Sequence, residues 1–150
     1  METTLNKQTA FRLSAKTREI IVDIIAYSFI MLFMYTAADK LLTIKSFAST
    51  LAKSPLIGGY HMIVAWAIPI IEIIISIILI IPSARKTGLQ ASFLLMTTFT
   101  LYLTYMVFSG SKLPCHCGGV ISTMTWQQHI WFNLAFVTLA IFGITISGKK

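Results

Sequence analysis

The chain has 150 residues, of which 56% are hydrophobic and only 11% are charged. A water-soluble domain usually carries about a quarter charged residues, so this composition excludes a soluble globular domain and predicts that lipid surrounds most of the protein. The net charge of +7 does not indicate nucleic-acid binding, because the basic residues lie in short tracts between apolar runs, where they act as orientation signals and contact anionic lipid headgroups.

Four apolar runs are long enough to cross a bilayer, since a spanning helix needs about 20 largely apolar residues. They cover roughly residues 20–38, 61–81, 89–108 and 130–146. The sequence therefore predicts an all-α membrane protein, a four-transmembrane-helix bundle that forms a single integral membrane domain over residues 1–150.

The basic residues between these runs predict the orientation of the chain. Eight lie on one side of the predicted membrane and four on the other. The first side carries Lys7, Arg12, Lys16, Arg18, Arg85, Lys86, Lys149 and Lys150, and the second carries Lys40, Lys45, Lys53 and Lys112. The positive-inside rule then predicts a multi-pass protein of the bacterial inner membrane with both termini in the cytoplasm.

The segment after the first run has apolar residues at intervals of three and four, from Leu41 to Leu51. This pattern predicts a short amphipathic helix along the membrane surface. Ser54 and Pro55 resemble an N-cap and a first-turn proline, and predict that the next helix begins there. Thr125 and Gln128 have the spacing of a capping box, which predicts the start of the last helix.

Two charged positions fall in or beside the spans. Glu72 is in the middle of the second run, where a charge costs about 2.5–3.5 kcal/mol, so we expect its side chain to face the bundle interior. It would serve there as a partner for a proton or a quinone headgroup, or form a structural hydrogen bond to another helix, through Asn133, Tyr102, Thr98 or Thr104. Asp39 and Lys40 end the first run; a solvated ion pair at the headgroups is favoured over an ion pair between Lys40 and the buried acid.

Cys115, His116 and Cys117 lie between the third and fourth runs, on the predicted periplasmic side, where disulfides can form. A disulfide across one intervening residue closes a very tight ring, so strain is expected, and strained, exposed disulfides are the labile ones. A protonated His116 would stabilise a neighbouring thiolate. The motif favours thiol–disulfide exchange with another protein.

Two other interpretations of the cysteine pair remain open. One is a structural disulfide, although so short a loop adds little stability. The other is a copper or zinc site formed by Cys115, Cys117, His116 and His129, which are ligand types that suit these metals. Against the metal site, the spacing lacks the gap of two to four residues that is usual at zinc sites.

Several segments in order resemble a known family. YTAADKL (residues 35–41) and the mid-membrane acid Glu72 resemble the corresponding elements of DoxX-like membrane proteins. CHCGG (residues 115–119) and WQQHIWFN (residues 126–133) extend the resemblance to the MauE branch, the methylamine utilisation proteins. The likeness covers roughly residues 20–146.

This resemblance implies an inner-membrane protein associated with periplasmic thiol redox, which acts with a thioredoxin-like partner in the maturation of methylamine dehydrogenase, whose small subunit is rich in disulfides. Relatives in the wider DoxX-like group are linked to quinone-coupled sulfur oxidation. Family members often have Phe after the second cysteine, where this chain has Gly118, so the resemblance does not specify the client.

Together, these observations predict a thiol–disulfide redox protein of the lipid bilayer. Cys115 and Cys117 would exchange disulfides with a periplasmic thioredoxin-like protein or a disulfide-containing client, with His116 tuning the thiolate. Quinone is a candidate cofactor, but quinone-coupled oxidases commonly use two cysteine pairs and this chain has one. The alternatives are a non-enzymatic metal-binding or transport-accessory protein and, third, a small-molecule carrier that uses Glu72.

Overall fold

The computed structural model describes residues 14–109 and 125–148, and within these ranges all regular structure is helical. The α-helices in this part of the chain are α1 (Ala15–Leu42), α2 (Ile44–Ala52), α3 (His61–Ile80), α4 (Arg85–Phe108) and α5 (Trp126–Ser147). Short 3-10 turns at Gly58–Tyr60 and Pro82–Ala84 lead into α3 and α4.

Within the described residues, four helical segments are long and apolar enough to cross a membrane. They are Ala15–Leu42, Gly58–Ile80, Pro82–Phe108 and Gln127–Ser147. The prediction of an all-α membrane protein with four spanning helices and a short helix after the first of them is therefore confirmed. Large apolar side chains such as Met31, Ile63 and Leu101 are exposed, which is stable where lipid rather than water surrounds the bundle.

The spanning helices form a ring. α1 packs against α3 and α5, and α4 packs against the same two helices, so α1 and α4 lie diagonally opposite. Two ends of the ring can be distinguished. At the end that we call the α2 end, α1 ends, α3 begins, α4 ends and α5 begins. The opposite end contains the start of α1 and the short turn from α3 to α4.

The main core lies between α1 and its neighbours. Phe29 and Phe33 of α1, Leu79 of α3 and Leu89 of α4 are almost completely buried in one apolar cluster. Glycine allows a close contact between α3 and α4: a Cβ atom on Gly88 would lie 2.7 Å from Cδ2 of Leu79. Small residues at helix interfaces are typical of membrane bundles, where the association depends on close packing.

α2 packs against the bundle through its apolar face. Phe47, Ala48 and Leu51 are buried in a cluster with Ala65 of α3, and its polar residues Lys45 and Ser46 are exposed. This amphipathic pattern was visible in the sequence. The helix uses its apolar face to cover the first turns of α3.

One of the two predicted helix starts is correct. The N–H of Gln128 donates to Oγ1 of Thr125 at 3.3 Å, and the N–H of Thr125 donates to Oε1 of Gln128 at 3.0 Å, which completes the capping box of α5. The start at Ser54 is wrong, because α3 begins at His61. Ser54 instead opens a separate turn, in which its carbonyl oxygen accepts from the N–H of Gly58 at 3.0 Å.

Candidate functional site

The most polar feature inside the bundle is an ion pair between α1 and α3. Nζ of Lys40 lies 2.6 Å from Oε1 of Glu72, and the side chains are only 6% and 1% exposed. Glu72 lies on the buried stripe of α3 that includes Ala65, Pro69 and Ser76, which has the spacing of one helical face. The expected inward orientation of Glu72 is therefore observed.

The expected position of Lys40 at the headgroups is wrong. Its side chain points into the bundle and pairs with the buried acid, whereas Asp39 is half-buried on the neighbouring face of α1. The physical reason is the phase of the helix. Lys40 follows Phe33 and Thr36 at intervals of seven and four residues, so it lies on the same buried face of α1. Its side chain therefore points toward the carboxylate of Glu72.

The second oxygen of the Glu72 carboxylate is left without a partner. Oε2 is buried and has no hydrogen-bond partner among the described residues. Thr36 lies within hydrogen-bond reach of the carboxylate, and its hydroxyl donates to the carbonyl oxygen of Phe33 at 3.3 Å. Nζ of Lys40 also lies 5.7 Å from the centroid of the Phe99 ring, a cation–π distance that further stabilises the buried ammonium.

This ion pair forms part of the wall of a cavity of about 420 Å³ at the α2 end of the bundle. All five helices contribute to the lining, which is apolar over nearly all of its area. The buried polar side chains in the wall are few, and they are those of Thr36, Lys40, Glu72, His129 and Asn133. Such a chamber, mostly apolar with a few convergent polar groups, has the composition of a small-molecule site.

α5 contributes His129 and Asn133, which are four residues apart on its buried face. Asn133 was one of the expected hydrogen-bond partners of Glu72. The structure brings the two side chains to the same cavity, but Nδ2 of Asn133 has no hydrogen-bond partner in the described part of the chain. The side chain of His129 is also buried, and it has an interaction partner.

Two of the other expected partners of Glu72, Thr98 and Thr104 of α4, bond elsewhere. The hydroxyl groups of Thr98 and Thr104 donate to carbonyl oxygens of their own helix, those of Leu94 and Thr100, at 2.9 and 2.7 Å. A threonine hydroxyl can bond within its helix in this way at little cost. The acid is compensated by a lysine, and neither of these hydroxyls takes part.

The predicted redox motif lies outside the described residues. Cys115, His116 and Cys117 belong to the segment between Ser109 and Thr125, so the structure does not test the thiol or metal interpretations. The residues that flank this segment are at the α2 end of the bundle. Among the described residues, no three His, Cys, Asp or Glu side chains are grouped as a metal site would require.

A second ion pair, which the sequence analysis missed, lies at the opposite end. Oδ1 of Asp23 on α1 accepts a hydrogen bond from Nη1 of Arg85 at the start of α4. The guanidinium also lies 6.0 Å from the ring centroid of Tyr27. Arg85 is the first residue of α4 and Asp23 lies about two turns after the start of α1, both toward the predicted cytoplasmic side. The two side chains are 40% and 17% exposed.

The fold and the site define a class: a multi-pass, four-helix membrane protein with a compensated charge pair beside an internal cavity. Comparison with family models then identifies the family. The model described as methylamine utilisation protein MauE matches residues 18–146, and the chain belongs to this family. Comparisons with curated proteins and with solved structures gave no match. Family membership links the protein to methylamine utilisation.

Proposed function

We propose that the protein is an inner-membrane thiol–disulfide redox component of methylamine utilisation, related to the DoxX-like proteins. In this proposal, Cys115 and Cys117 exchange disulfides with a periplasmic thioredoxin-like protein or a disulfide-containing client. The observation that carries it is the Cys115-His116-Cys117 motif, placed between the end of α4 and the start of α5. Membership of the methylamine utilisation family supports the metabolic setting.

The distribution of charge supports a periplasmic position for the α2 end. Lys40 lies inside the bundle, so it does not count as a loop charge, and the exposed lysines described at this end are Lys45 and Lys53. The opposite end carries more basic residues, namely Lys16, Arg18, Arg85 and Lys86. The positive-inside rule favours a cytoplasmic position for that end, where α1 begins and α5 ends.

The exchange itself needs no group beyond the cysteines and the partner. The thiolate of Cys115 or Cys117 attacks one sulfur of the partner disulfide, which forms a mixed disulfide and releases the other partner sulfur as a thiolate. The second cysteine then attacks the mixed disulfide. The chain leaves with a Cys115–Cys117 disulfide and the partner leaves as a dithiol, so two electrons pass to the partner. The reverse sequence delivers a disulfide to a client.

Trapping experiments test this exchange directly. Cys115→Ser and Cys117→Ser each remove one of the two attacking groups, so a mixed disulfide formed by the remaining cysteine cannot resolve. We expect at least one single variant to accumulate a covalent complex that reduction dissolves and mass spectrometry identifies. The matched control is Cys115→Ser/Cys117→Ser, which should give no complex. If neither single variant traps a protein, the redox proposal is wrong.

Labelling of intact cells tests the side of the membrane. After mild reduction, a membrane-impermeant maleimide should modify the native cysteines. Two exposed serines provide controls in the cysteine-free background: Ser46→Cys on α2 should be labelled, and Ser83→Cys in the turn between α3 and α4 should be protected until the cells are opened. Native cysteines that behave like Ser83→Cys would place the motif in the cytoplasm.

The metal-binding alternative has a separate readout. Protein purified without oxygen should contain no stoichiometric copper or zinc if the motif serves exchange. Metal that is bound in one-to-one ratio and lost from Cys115→Ser/Cys117→Ser would favour a metal-binding or transport-accessory protein instead.

A further inference from the structure

The cavity at the α2 end is continuous with the outer surface of the bundle between α3 and α4. Its wall includes three residues that are exposed, Ile63 and Ile71 of α3 and Thr98 of α4. All three belong to helical segments that are long and apolar enough to cross a membrane, so their exposed surface faces lipid. The cavity therefore opens sideways, toward the hydrocarbon of the bilayer.

The packing of α3 and α4 accounts for this opening. These two helices pack less extensively against each other than α3 packs against α1 or α4 against α5. Their close contact, between Gly88 and Leu79, lies toward the opposite end of the bundle. The residues of α3 and α4 that line the cavity fall within 63–72 and 95–103, in the halves nearer the α2 end. The two helices therefore meet at one end and enclose the cavity near the other.

The surface of the cavity favours hydrocarbon. It is apolar over nearly all of its area, and the charges of Lys40 and Glu72 are paired with each other and almost completely buried. Water does not fill such a space well, because apolar cavities in proteins stay dry. An empty cavity would leave the atoms of its wall without contacts on one side. A hydrocarbon chain supplies these contacts and needs no hydrogen bond.

The length of the cavity matches one leaflet of the bilayer. Ile63 and Ile71 both line it, and the eight residues between them rise about 12 Å along α3. The hydrocarbon of one leaflet is about 15 Å thick, which is half of the whole core. A transmembrane helix of another protein would need a groove along the full core, and the contact of Gly88 with Leu79 closes the other half.

We propose that an acyl chain of a phospholipid, from the leaflet at the α2 end, enters between α3 and α4 and fills this cavity. The headgroup of the phospholipid stays at the membrane surface, and only the chain lies inside the bundle. The chain excludes water from the ion pair of Lys40 and Glu72, which lines the same space. This proposal does not depend on the cysteines and holds whether or not they exchange disulfides.

Photo-cross-linking tests the site. The full-length protein is placed in phosphatidylcholine nanodiscs that contain some phosphatidylcholine with a diazirine on one acyl chain, and mass spectrometry identifies the labelled residues. Leu94 and Leu101 report the surrounding lipid, because they are 68% and 66% exposed and do not line the cavity. Phe99 and Phe132 report the cavity, since both line it and the Phe99 ring lies 5.7 Å from the buried Nζ of Lys40. We expect labelling of both pairs.

Two substitutions fill the cavity and leave the ion pair intact. Ala67→Phe adds a ring from α3 and Thr98→Phe adds one from α4, at two positions that line the cavity. We expect each to lower the labelling of Phe132 relative to Leu101 about tenfold, which is about 1.4 kcal/mol in occupancy by the chain. Ala135→Phe is the matched control, because Ala135 is exposed on α5 and does not line the cavity. Its labelling ratio should equal that of the wild type.

The proposal is overturned if the wild type is labelled at Leu94 and Leu101 but at neither Phe99 nor Phe132. That pattern is also the result expected if a second copy or another protein fills the cavity. The proposal is equally overturned if the folded cavity-filling variants keep the labelling ratio of the wild type. Size-exclusion profiles show which variants are folded, and the wild-type pattern decides the result if neither is. Loss of thiol exchange in the cysteine variants would leave the labelling unchanged, so this proposal and the redox proposal fail independently.

Discussion

Lys40 at the end of α1 and Glu72 in the middle of α3 form a 2.6 Å ion pair from which solvent is almost completely excluded. Both residues belong to long, apolar helices, and each would be costly in the membrane if it were alone. Together they neutralise each other and connect two neighbouring helices at the α2 end of the bundle. Both residues also line the cavity.

The first prediction concerns the loss of one member of this pair. Lys40→Met keeps the length of the side chain but leaves Glu72 as a buried charge without compensation, which typically costs about 3–5 kcal/mol. Unfolding in mixed detergent micelles should therefore show a large loss of stability. Lys45→Met is the matched control, because Lys45 is an exposed lysine of α2, and its unfolding curve should be nearly unchanged.

The second prediction is that removing both charges restores stability. Replacement of a buried ion pair by apolar residues of similar volume is often neutral or stabilising, so Lys40→Met/Glu72→Leu should recover most of the stability lost in Lys40→Met. The four proteins of this double-mutant cycle are compared in the same micelles. A double variant as unstable as the single one would mean that the loss arises from packing of the lysine stem and not from an unpaired charge.

The third prediction concerns the ion pair at the opposite end. Asp23 and Arg85 are 40% and 17% exposed, and ion pairs accessible to solvent usually contribute only about 0–1 kcal/mol. Asp23→Asn should therefore change the unfolding free energy far less than Lys40→Met does. Raising the salt concentration should reduce even this small difference, because exposed charges are screened. A loss as large as that of Lys40→Met would contradict this assignment.

The capping box of α5 gives the fourth prediction. Thr125→Val removes the hydroxyl oxygen that accepts from the N–H of Gln128 at 3.3 Å, and loss of such an N-cap typically costs about 1 kcal/mol. Thr138→Val on the same helix is the control, since Thr138 bonds only to the carbonyl oxygen of Ala135 among the described residues. Equal stability of the two variants would show that the cap contributes nothing measurable.

The helical class, the four spans and the inward position of Glu72 could be predicted from the sequence, because the bilayer imposes them. Each spanning helix needs a minimum length of apolar residues, and the cost of a charge in hydrocarbon directs Glu72 to the interior. The direction of Lys40 was predicted wrongly. Its spacing from Phe33 and Thr36 places Lys40 on the buried face of α1. Its position at the end of the span had instead favoured a side chain at the headgroups.

The remaining features depend on distances between helices, which periodicity does not determine. The contact of Asp23 with Arg85 requires α1 and α4 to approach at one end of the ring, although they lie diagonally opposite. Likewise, Glu72 of α3 and Asn133 of α5 line the same cavity. Neither residue's own sequence context predicts this spacing.

The last prediction concerns the close contact between α3 and α4. A Cβ atom added by Gly88→Ala would lie 2.7 Å from Cδ2 and 3.2 Å from the backbone nitrogen of Leu79, which is fully buried, so we expect destabilisation of about 1–3 kcal/mol by overpacking. Gly143→Ala should cost less, because its nearest neighbour is the side-chain tip of Leu89 at 3.1 Å. Gly59→Ala meets nothing within 4 Å and should be nearly neutral. Unfolding of the three variants by detergent titration should give this order; a Gly88→Ala protein as stable as Gly59→Ala would mean that α3 and α4 are not packed this closely.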